Sequence, residues 1–170
     1  MQVLVSDTSV LVDLERGSLL RAAFALQSCS FAVPDLLYER ELKDHGGPNL
    51  VALGLRVEAL PAEGVIEATG YRRAKPVLSV PDSFALALAR ANAWVLLTGD
   101  GPLRELAGLH AVECHGVLWM LDKMVAEAAA TAQEVHAGLT VIAAHPRCRL
   151  PQKEVKARLA RYASAGRRLP

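Results

Sequence analysis

The sequence Val3-Leu4-Val5-Ser6-Asp7 is an apolar run that ends in a carboxylate, and a second run, Trp94-Val95-Leu96-Leu97-Thr98-Gly99-Asp100, repeats this pattern. Short runs of this kind are typical of strands that are buried on both faces of a parallel sheet. In an open α/β sheet, the ligand crevice lies beyond the carboxyl ends of the strands. We therefore expect Asp7 and Asp100 to lie at the same edge of the sheet.

Two carboxylates at one sheet edge repel each other unless a positive charge lies between them. A hard divalent cation with oxygen ligands is the simplest source of that charge. The pattern therefore predicts a site for Mg²⁺ or Mn²⁺ rather than a thiol or hydroxyl nucleophile. The alternative is that Asp7 and Asp100 only cap the helices that follow them, which is a common role for aspartate.

The composition indicates a single globular domain that is not embedded in a membrane. The chain has 170 residues, of which 52% are hydrophobic and 22% are charged, and this length is enough to bury a sizeable core. No apolar run is long enough to span a bilayer, and no signal peptide is evident. Three cysteines, Cys29, Cys114 and Cys148, lie far apart, which favours a reducing compartment and a cytoplasmic location.

The net charge of +1 hides a basic tail. From Arg147 onward the chain carries eight of its 19 Lys and Arg residues but one of its 18 acids, which leaves 11 basic and 17 acidic residues in the body. A basic arm of this kind suits contact with a polyanion, and Lys156 and Arg161 are the candidate contacts. The alternative is a solvated helix face without a binding role.

Strands and helices alternate along the chain, which predicts a parallel sheet with helices on both of its faces. A last pair of helices, near 130–143 and 151–163, is expected to form an appended cap. The predicted strands lie near residues 2–6, 31–33, 55–60, 94–98 and 111–113. The predicted helices lie near residues 8–15, 18–27, 35–43, 82–92, 101–109 and 116–127, with one more after Pro61.

Two further acids are candidates for the same site. Asp82 begins a helix, and its distance of eighteen residues from Asp100 fits one helix plus one strand. Because helix and strand run antiparallel in this unit, the start of that helix lies near the end of the strand that carries Asp100. Glu39 lies in the middle of a predicted helix, where Glu41 and Asp35 compete for any functional role. A solvated surface position is the alternative for Glu39.

Together these segments resemble the PIN domain family over residues 2–109. The similarity is carried by four segments, namely 3–12 with Asp7, 33–39 with Glu39, 82–89 with Asp82, and 96–103 with Asp100. The resemblance implies a three-layer α/β/α sandwich around a central parallel sheet. On that basis residues 1–128 would form a PIN-like catalytic domain, and residues 129–170 a C-terminal helical extension with the basic tail.

The resemblance also implies a function. It points to a metal-dependent ribonuclease that acts on single-stranded RNA. In bacteria such a protein is most often the VapC-like toxin of a toxin–antitoxin pair. A homodimer is then expected, with a cognate antitoxin as the protein partner. A non-catalytic PIN-like module that binds RNA or protein is the alternative. The implied catalytic acids are Asp7, Glu39, Asp82 and Asp100. Asp7, Asp82 and Asp100 would hold Mg²⁺ or Mn²⁺, and Ser9 and Thr98 would orient the carboxylates.

Overall fold

A five-stranded parallel sheet forms the centre of the computed structural model, which describes residues 1–166. Arg167 and Arg168 of the basic tail lie outside the described residues. The strand order is β3-β2-β1-β4-β5, and each neighbouring pair is parallel. The strands are β1 (Gln2–Ser6), β2 (Cys29–Pro34), β3 (Arg56–Glu58), β4 (Val95–Leu97) and β5 (Cys114–His115).

Helices connect the strands and cover the sheet. The short helix α3 continues directly into a π-helical segment, Tyr38–Leu42. The helices are α1 (Thr8–Arg16), α2 (Leu20–Phe24), α3 (Asp35–Leu37), α4 (Gly47–Ala52), α5 (Ala62–Ala74), α6 (Val80–Ala91), α7 (Gly101–Leu109), α8 (Val117–Ala126), α9 (Ala132–Ala144) and α10 (Gln152–Gly166). No helix within residues 1–166 combines the length and the apolar composition needed to cross a membrane.

The sheet separates two apolar cores. Successive residues of a strand point to opposite faces, so Leu4 packs with α1, α2, α8, α9 and α10, whereas Val5 packs with α5, α6 and α7. In β4, Leu97 belongs to the first core and Leu96 to the second. The resulting three layers confirm the predicted α/β/α sandwich with a central parallel sheet.

The strand order places the two aspartate-bearing strands side by side. The chain builds the sheet outward from β1 to β2 and β3, and then crosses back to add β4 and β5 on the other side. Ser6 pairs with Leu97 in the register of β1 and β4, and the Asp7 amide donates to the Leu97 carbonyl at 2.9 Å. The reversal of strand order, where crevices form in open α/β sheets, therefore lies beside Asp7.

The C-terminal helices pack into the body of the protein. Val135 and Leu139 of α9 and Val155 and Tyr162 of α10 are buried in the core that also contains Leu4. The helical extension predicted from the sequence therefore buries its apolar face against the PIN-like body. The core continues from the residues before 128 to those after it. The predicted domain boundary at residue 128 stays a prediction.

Two local predictions from the sequence were wrong. The strand expected at 111–113 lies instead at Cys114–His115, because the chain is still turning at Ala111, which has a positive φ of 55°. The segment after Lys43 was expected to be irregular, but it forms helix α4, which carries Pro48 in its first turn. Proline is compatible with that position because the amide it lacks would have no partner there.

Candidate active site

Five carboxylates line one cavity at the carboxyl edge of the sheet, and Asp13, the one that is not a candidate from the sequence, is paired with Arg16. The cavity has a volume of about 530 Å³, and its wall includes Asp7, Glu41, Asp82 and Asp100. Asp7 and Asp100 follow the adjacent strands β1 and β4, and Asp82 begins the helix that leads into β4. The structure thus brings together three of the four acids predicted from the sequence, together with Glu41 in place of Glu39.

Asp7 is buried and held by three donors. Its side chain is at the N-terminus of α1, and the residue is only 3% exposed. Oδ1 accepts hydrogen bonds from the Ser9 hydroxyl at 2.8 Å and from the Val10 amide at 3.0 Å. Oδ2 accepts a hydrogen bond from the Thr98 hydroxyl. Asp7 therefore caps its helix and also presents a fixed carboxylate beside the cavity.

Burial and hydrogen bonding act on Asp7 in opposite directions. Burial raises the pKa of Asp7, while the hydrogen bonds from Thr98, Val10 and Ser9 lower it, and the negative charge of Asp82 raises it further. Burial is the largest of these effects, and the net pKa is raised. The charged form is thus disfavoured without a nearby cation, which is the expected condition of a cation-binding carboxylate.

Thr98 links the two strand-end aspartates. Its hydroxyl donates to Asp7 and accepts a hydrogen bond from the Asp100 amide at 2.9 Å. Asp100 caps α7 through Oδ1, which accepts from the Leu103 amide at 2.8 Å. The other oxygen, Oδ2, has no hydrogen-bond donor among the described residues. Capping therefore occupies one Asp100 oxygen and leaves the second available to the cavity.

Asp82 completes the aspartate cluster from the first turn of α6. The Ser79 hydroxyl donates to Asp82 Oδ2 at 2.6 Å and accepts from the Asp82 amide at 3.1 Å. Burial raises the pKa of Asp82, the Ser79 hydrogen bond opposes this, and the charges of Asp100 and Glu41 raise it again. Asp100 and Glu41 line the same cavity as Asp82, so their negative charges disfavour ionisation of Asp82.

The second acid of the site is Glu41. Its carboxylate accepts a hydrogen bond from the Thr8 hydroxyl and lines the cavity. Glu39 lies outside this cavity, is 57% exposed at its side chain, and forms an ion pair with Lys43 at 2.8 Å. The structure therefore does not bring Glu39 to the other acids, and Glu41, the alternative that the sequence left open, occupies this part of the wall.

Helical spacing could have separated the two glutamates. Glu39 and Lys43 stand four residues apart, which is the spacing of a solvent-exposed ion pair. Glu41 stands four residues after Leu37, which is buried, so the two side chains lie on the same face of the helix. The sequence does not reveal the π-helical turn, in which the Lys43 amide bonds to the Tyr38 carbonyl five residues earlier, at 2.8 Å. Such turns often occur at functional sites.

The basic residues of the C-terminal region fall into two groups. Arg147 and Arg149, in the loop between α9 and α10, line the same cavity as the acids. On α10, Lys156 is exposed, whereas Arg161 bonds to Asp122 of α8. The sequence did not predict that Arg147 and Arg149 lie beside the acids, because these arginines are far from all four acids along the chain and no local pattern shows that the loop returns to the sheet edge.

The comparison with family models settles the relationship to known proteins. A model described as a PIN domain matches residues 3–164, which includes the C-terminal helices. The chain belongs to the PIN domain family. PIN domains have a nuclease-like fold and typically use divalent metal ions. No curated protein shows a significant match to the sequence.

A solved structure supports the fold of this PIN domain. The chain is similar to a PilT N-terminus domain protein from the hyperthermophilic archaeon Sulfolobus solfataricus, with a TM-score of 0.53 and 16% sequence identity. The similarity covers 74% of this chain and 94% of the archaeal chain. At this identity the likeness supports the α/β/α architecture alone.

The donors of the cavity suit a hard divalent cation. The four acidic side chains supply only oxygen atoms, which Mg²⁺ and Mn²⁺ prefer. Among residues 1–166, no three His, Cys, Asp or Glu side chains form a ready metal cluster. This arrangement is compatible with Mg²⁺, which usually takes one or two carboxylates and completes its shell with water and substrate phosphate. We therefore regard the residues present as a fit for such a cation.

Proposed function

We propose that this PIN domain is a metal-dependent endoribonuclease that hydrolyses phosphodiester bonds of single-stranded RNA. The observation that carries the proposal is the convergence of Asp7, Glu41, Asp82 and Asp100 on one cavity beside the reversal of strand order. Burial, with a further contribution from neighbouring carboxylates, raises the pKa of Asp7 and of Asp82, and a bound cation would offset the cost of their negative charges.

In this proposal the cation binds among Asp7, Asp82 and Asp100, of which one or two ligate it directly and the remainder act through bound water, and Glu41 orients water from its part of the cavity wall. Ser9 and Thr98 fix both oxygens of Asp7. When bound, Mg²⁺ or Mn²⁺ lowers the pKa of the attacking water and stabilises the leaving oxygen. No histidine lines the cavity among the described residues, and the proposal assigns none a role as general base.

The expected reaction is in-line attack of water on phosphorus. The water oxygen forms a new bond to phosphorus, and the bond from phosphorus to the 3′ oxygen breaks. The proton lost by water is balanced by the proton gained by the leaving oxygen. The products are therefore a 5′-phosphate and a 3′-hydroxyl, which distinguishes this reaction from cleavage by the ribose 2′-hydroxyl.

The proposal extends to a biological role. As a VapC-like PIN protein, the chain would be the toxin of a type II toxin–antitoxin pair, acting as a homodimer and held inactive by a cognate antitoxin. A neighbouring reading frame that encodes a small DNA-binding protein would support this role. Co-purification of that protein with the chain, and loss of cleavage in the complex, would test it directly.

The test of the nuclease proposal is cleavage of an end-labelled single-stranded RNA in Mn²⁺, in Mg²⁺ and in EDTA. We expect metal-dependent products with 5′-phosphate ends. Asp100→Asn keeps the size and the capping oxygen but removes the charge. We expect the cleavage rate to fall roughly 100-fold or more, which exceeds the usual effect of replacing a residue that only supports a metal ligand. Thermal melting checks that the variant folds. RNA binding without cleavage in any metal would instead support the non-catalytic module.

A further inference from the structure

The wall of the acidic cavity has a basic side that the carboxylate chemistry does not use. Arg147, Arg149 and Leu150 line it, and all three come from the loop between α9 and α10. Arg16 also contributes, but its guanidinium is paired with Asp13 at 3.0 Å. Arg147 and Arg149 form no ion pair within 4 Å with any residue of the described range 1–166.

The position of this loop is fixed by tight packing of α9 on α1. A β-carbon added at Gly138 of α9 would lie 2.5 Å from the Leu19 side chain and 2.8 Å from the Gly17 carbonyl oxygen at the end of α1. Only glycine permits such an approach. Because α1 begins at Asp7, the helix that carries the loop is docked directly on the helix that carries the central carboxylate.

Hydrogen bonds at the start of the loop and packing of α10 after it hold the loop as well. The Arg147 amide donates to His145 Nδ1 at 3.1 Å, and the Cys148 amide donates to the His145 carbonyl at 2.9 Å. Beyond the loop, Val155 and Tyr162 anchor α10 in the core. The loop therefore leaves α9 in a defined turn and is held at both ends by packed helices.

Other arginines of the extension have a structural role. Asp122 of α8 accepts hydrogen bonds from Arg158, Arg161 and Tyr162. Arg158 also pairs with Glu154 at 2.7 Å. The two arginines of α10 are thus paired with neighbouring acids, in contrast to the two arginines of the loop.

We propose that Arg147 and Arg149 form a phosphate-binding subsite that holds the RNA backbone against the carboxylates. The inference rests on the proposed nuclease function. A cavity lined by five carboxylates, one of which is paired with Arg16, repels a polyanion, and one divalent cation offsets only part of that charge. Guanidinium groups bind phosphate through paired hydrogen bonds in a fixed geometry. Arg147 and Arg149 are therefore positioning residues for the phosphates that flank the cleaved bond.

The test is the double variant Arg147→Gln/Arg149→Gln in the full chain. We expect KM for a single-stranded RNA to rise about tenfold or more, with kcat changed less than about threefold. The slope of log affinity against log salt should fall by roughly 0.7 for each phosphate that the variant no longer neutralises. The matched control is Arg21→Gln/Arg73→Gln, which removes the same charge from two exposed arginines outside the cavity and should leave both quantities unchanged.

Two further measurements separate this subsite from other roles. In the absence of RNA, the Mn²⁺-induced rise in melting temperature should be equal in the wild type and the Arg147/Arg149 variant. A larger rise in the variant would overturn the proposal, because the arginines would then be counter-ions of the carboxylates. An unchanged KM and salt slope in a folded variant would also overturn it.

The failure of this inference can be told from failure of the nuclease proposal. RNA affinity is measured by fluorescence anisotropy in the Asp100→Asn background, where no chemistry is required. If the arginine substitutions weaken RNA binding in the Asp100→Asn background while the wild type cleaves no RNA, the result supports the subsite and contradicts the nuclease function. If the wild type cleaves RNA and the arginine substitutions change neither KM nor RNA binding, the result supports the nuclease function and contradicts the subsite.

Discussion

The acidic and basic sides of the cavity are built in different ways. Asp7 and Asp100 extend from the ends of adjacent strands, and the Thr98 hydroxyl joins them directly. Arg147 and Arg149 extend from a loop that is held only through the packing of α9 and α10. The carboxylates are thus positioned by the sheet itself, whereas the arginines depend on helices added after the sheet is complete.

This difference indicates which side of the cavity tolerates changes in the position of its charged groups. Groups that react must be held in a precise geometry, and a rigid sheet edge with hydrogen-bonded carboxylates provides it. Groups that attract a phosphate backbone tolerate more variation in position, because their attraction is electrostatic and independent of sequence. We expect substitutions on the acidic side to lower kcat and those on the basic side to raise KM.

Substitution of Glu41 and of Glu39 tests which of the two glutamates belongs to the acidic side. Glu41→Gln removes a charge that lines the cavity, so we expect cleavage to fall roughly 10- to 100-fold, as for residues that orient a metal site. Glu39→Gln is the matched control, because it makes the same change two residues away on the exposed face, and it should retain full activity. Equal losses in the two variants would contradict the separation described by the structure.

Addition of Mn²⁺ tests whether the acidic side binds a cation before RNA arrives. A cation that binds only the folded state stabilises it by mass action, by about 2.7 kcal/mol at a concentration one hundred times Kd. We expect the melting temperature of the wild type to rise with millimolar Mn²⁺ and that of Asp100→Asn to rise much less. If the wild type does not respond, the carboxylates do not form a site in the free protein.

Burial of Asp82, together with repulsion from Asp100 and Glu41, predicts that Asp82→Asn is stabilising. Because the pKa of Asp82 is raised in the folded state, its stabilising contribution is present below the unfolded pKa of about 4 and is lost as the pH rises through the folded pKa. At pH 7 without metal, the variant should be more stable by no more than about 1 kcal/mol, the scale of partly solvated charge interactions. Near pH 4 the difference should shrink, and a less stable variant at pH 7 would contradict the prediction.

The smallest expected effect concerns the charges of α10. Arg161→Gln removes a bond to Asp122 and should lower the free energy of unfolding by no more than about 1 kcal/mol, as for exposed ion pairs. Lys156→Gln changes an exposed residue and should leave the melting temperature unchanged. If Lys156 contacts RNA, as the sequence predicts, its substitution weakens binding slightly and lowers the salt slope. If the salt slope is unchanged, Lys156 does not contact RNA, and Arg147 and Arg149 are the basic contacts that are left to test.

Local sequence patterns predicted the acidic side well. Apolar runs that end in Asp7 and Asp100 identified strands that end at one edge of the sheet, and the antiparallel relation of helix and strand placed Asp82 near Asp100. Glu41 was harder to choose, because a π-helical turn changes the residue spacing within a helix. Arg147 and Arg149 could not be placed, since their position depends on the docking of α9 at Gly138, which lies far along the chain from all four acids.

Thr98 also limits how the site can rearrange. The residue is fully buried, and a β-branched side chain has few accessible rotamers in an extended segment. Its single hydroxyl proton is committed to Asp7, and its oxygen receives the Asp100 amide. Rotation about its Cα–Cβ bond would break both hydrogen bonds at once. A serine would retain the hydroxyl but would rotate more freely, so the rotamer of one threonine sets the link between Oδ2 of Asp7 and the backbone of Asp100.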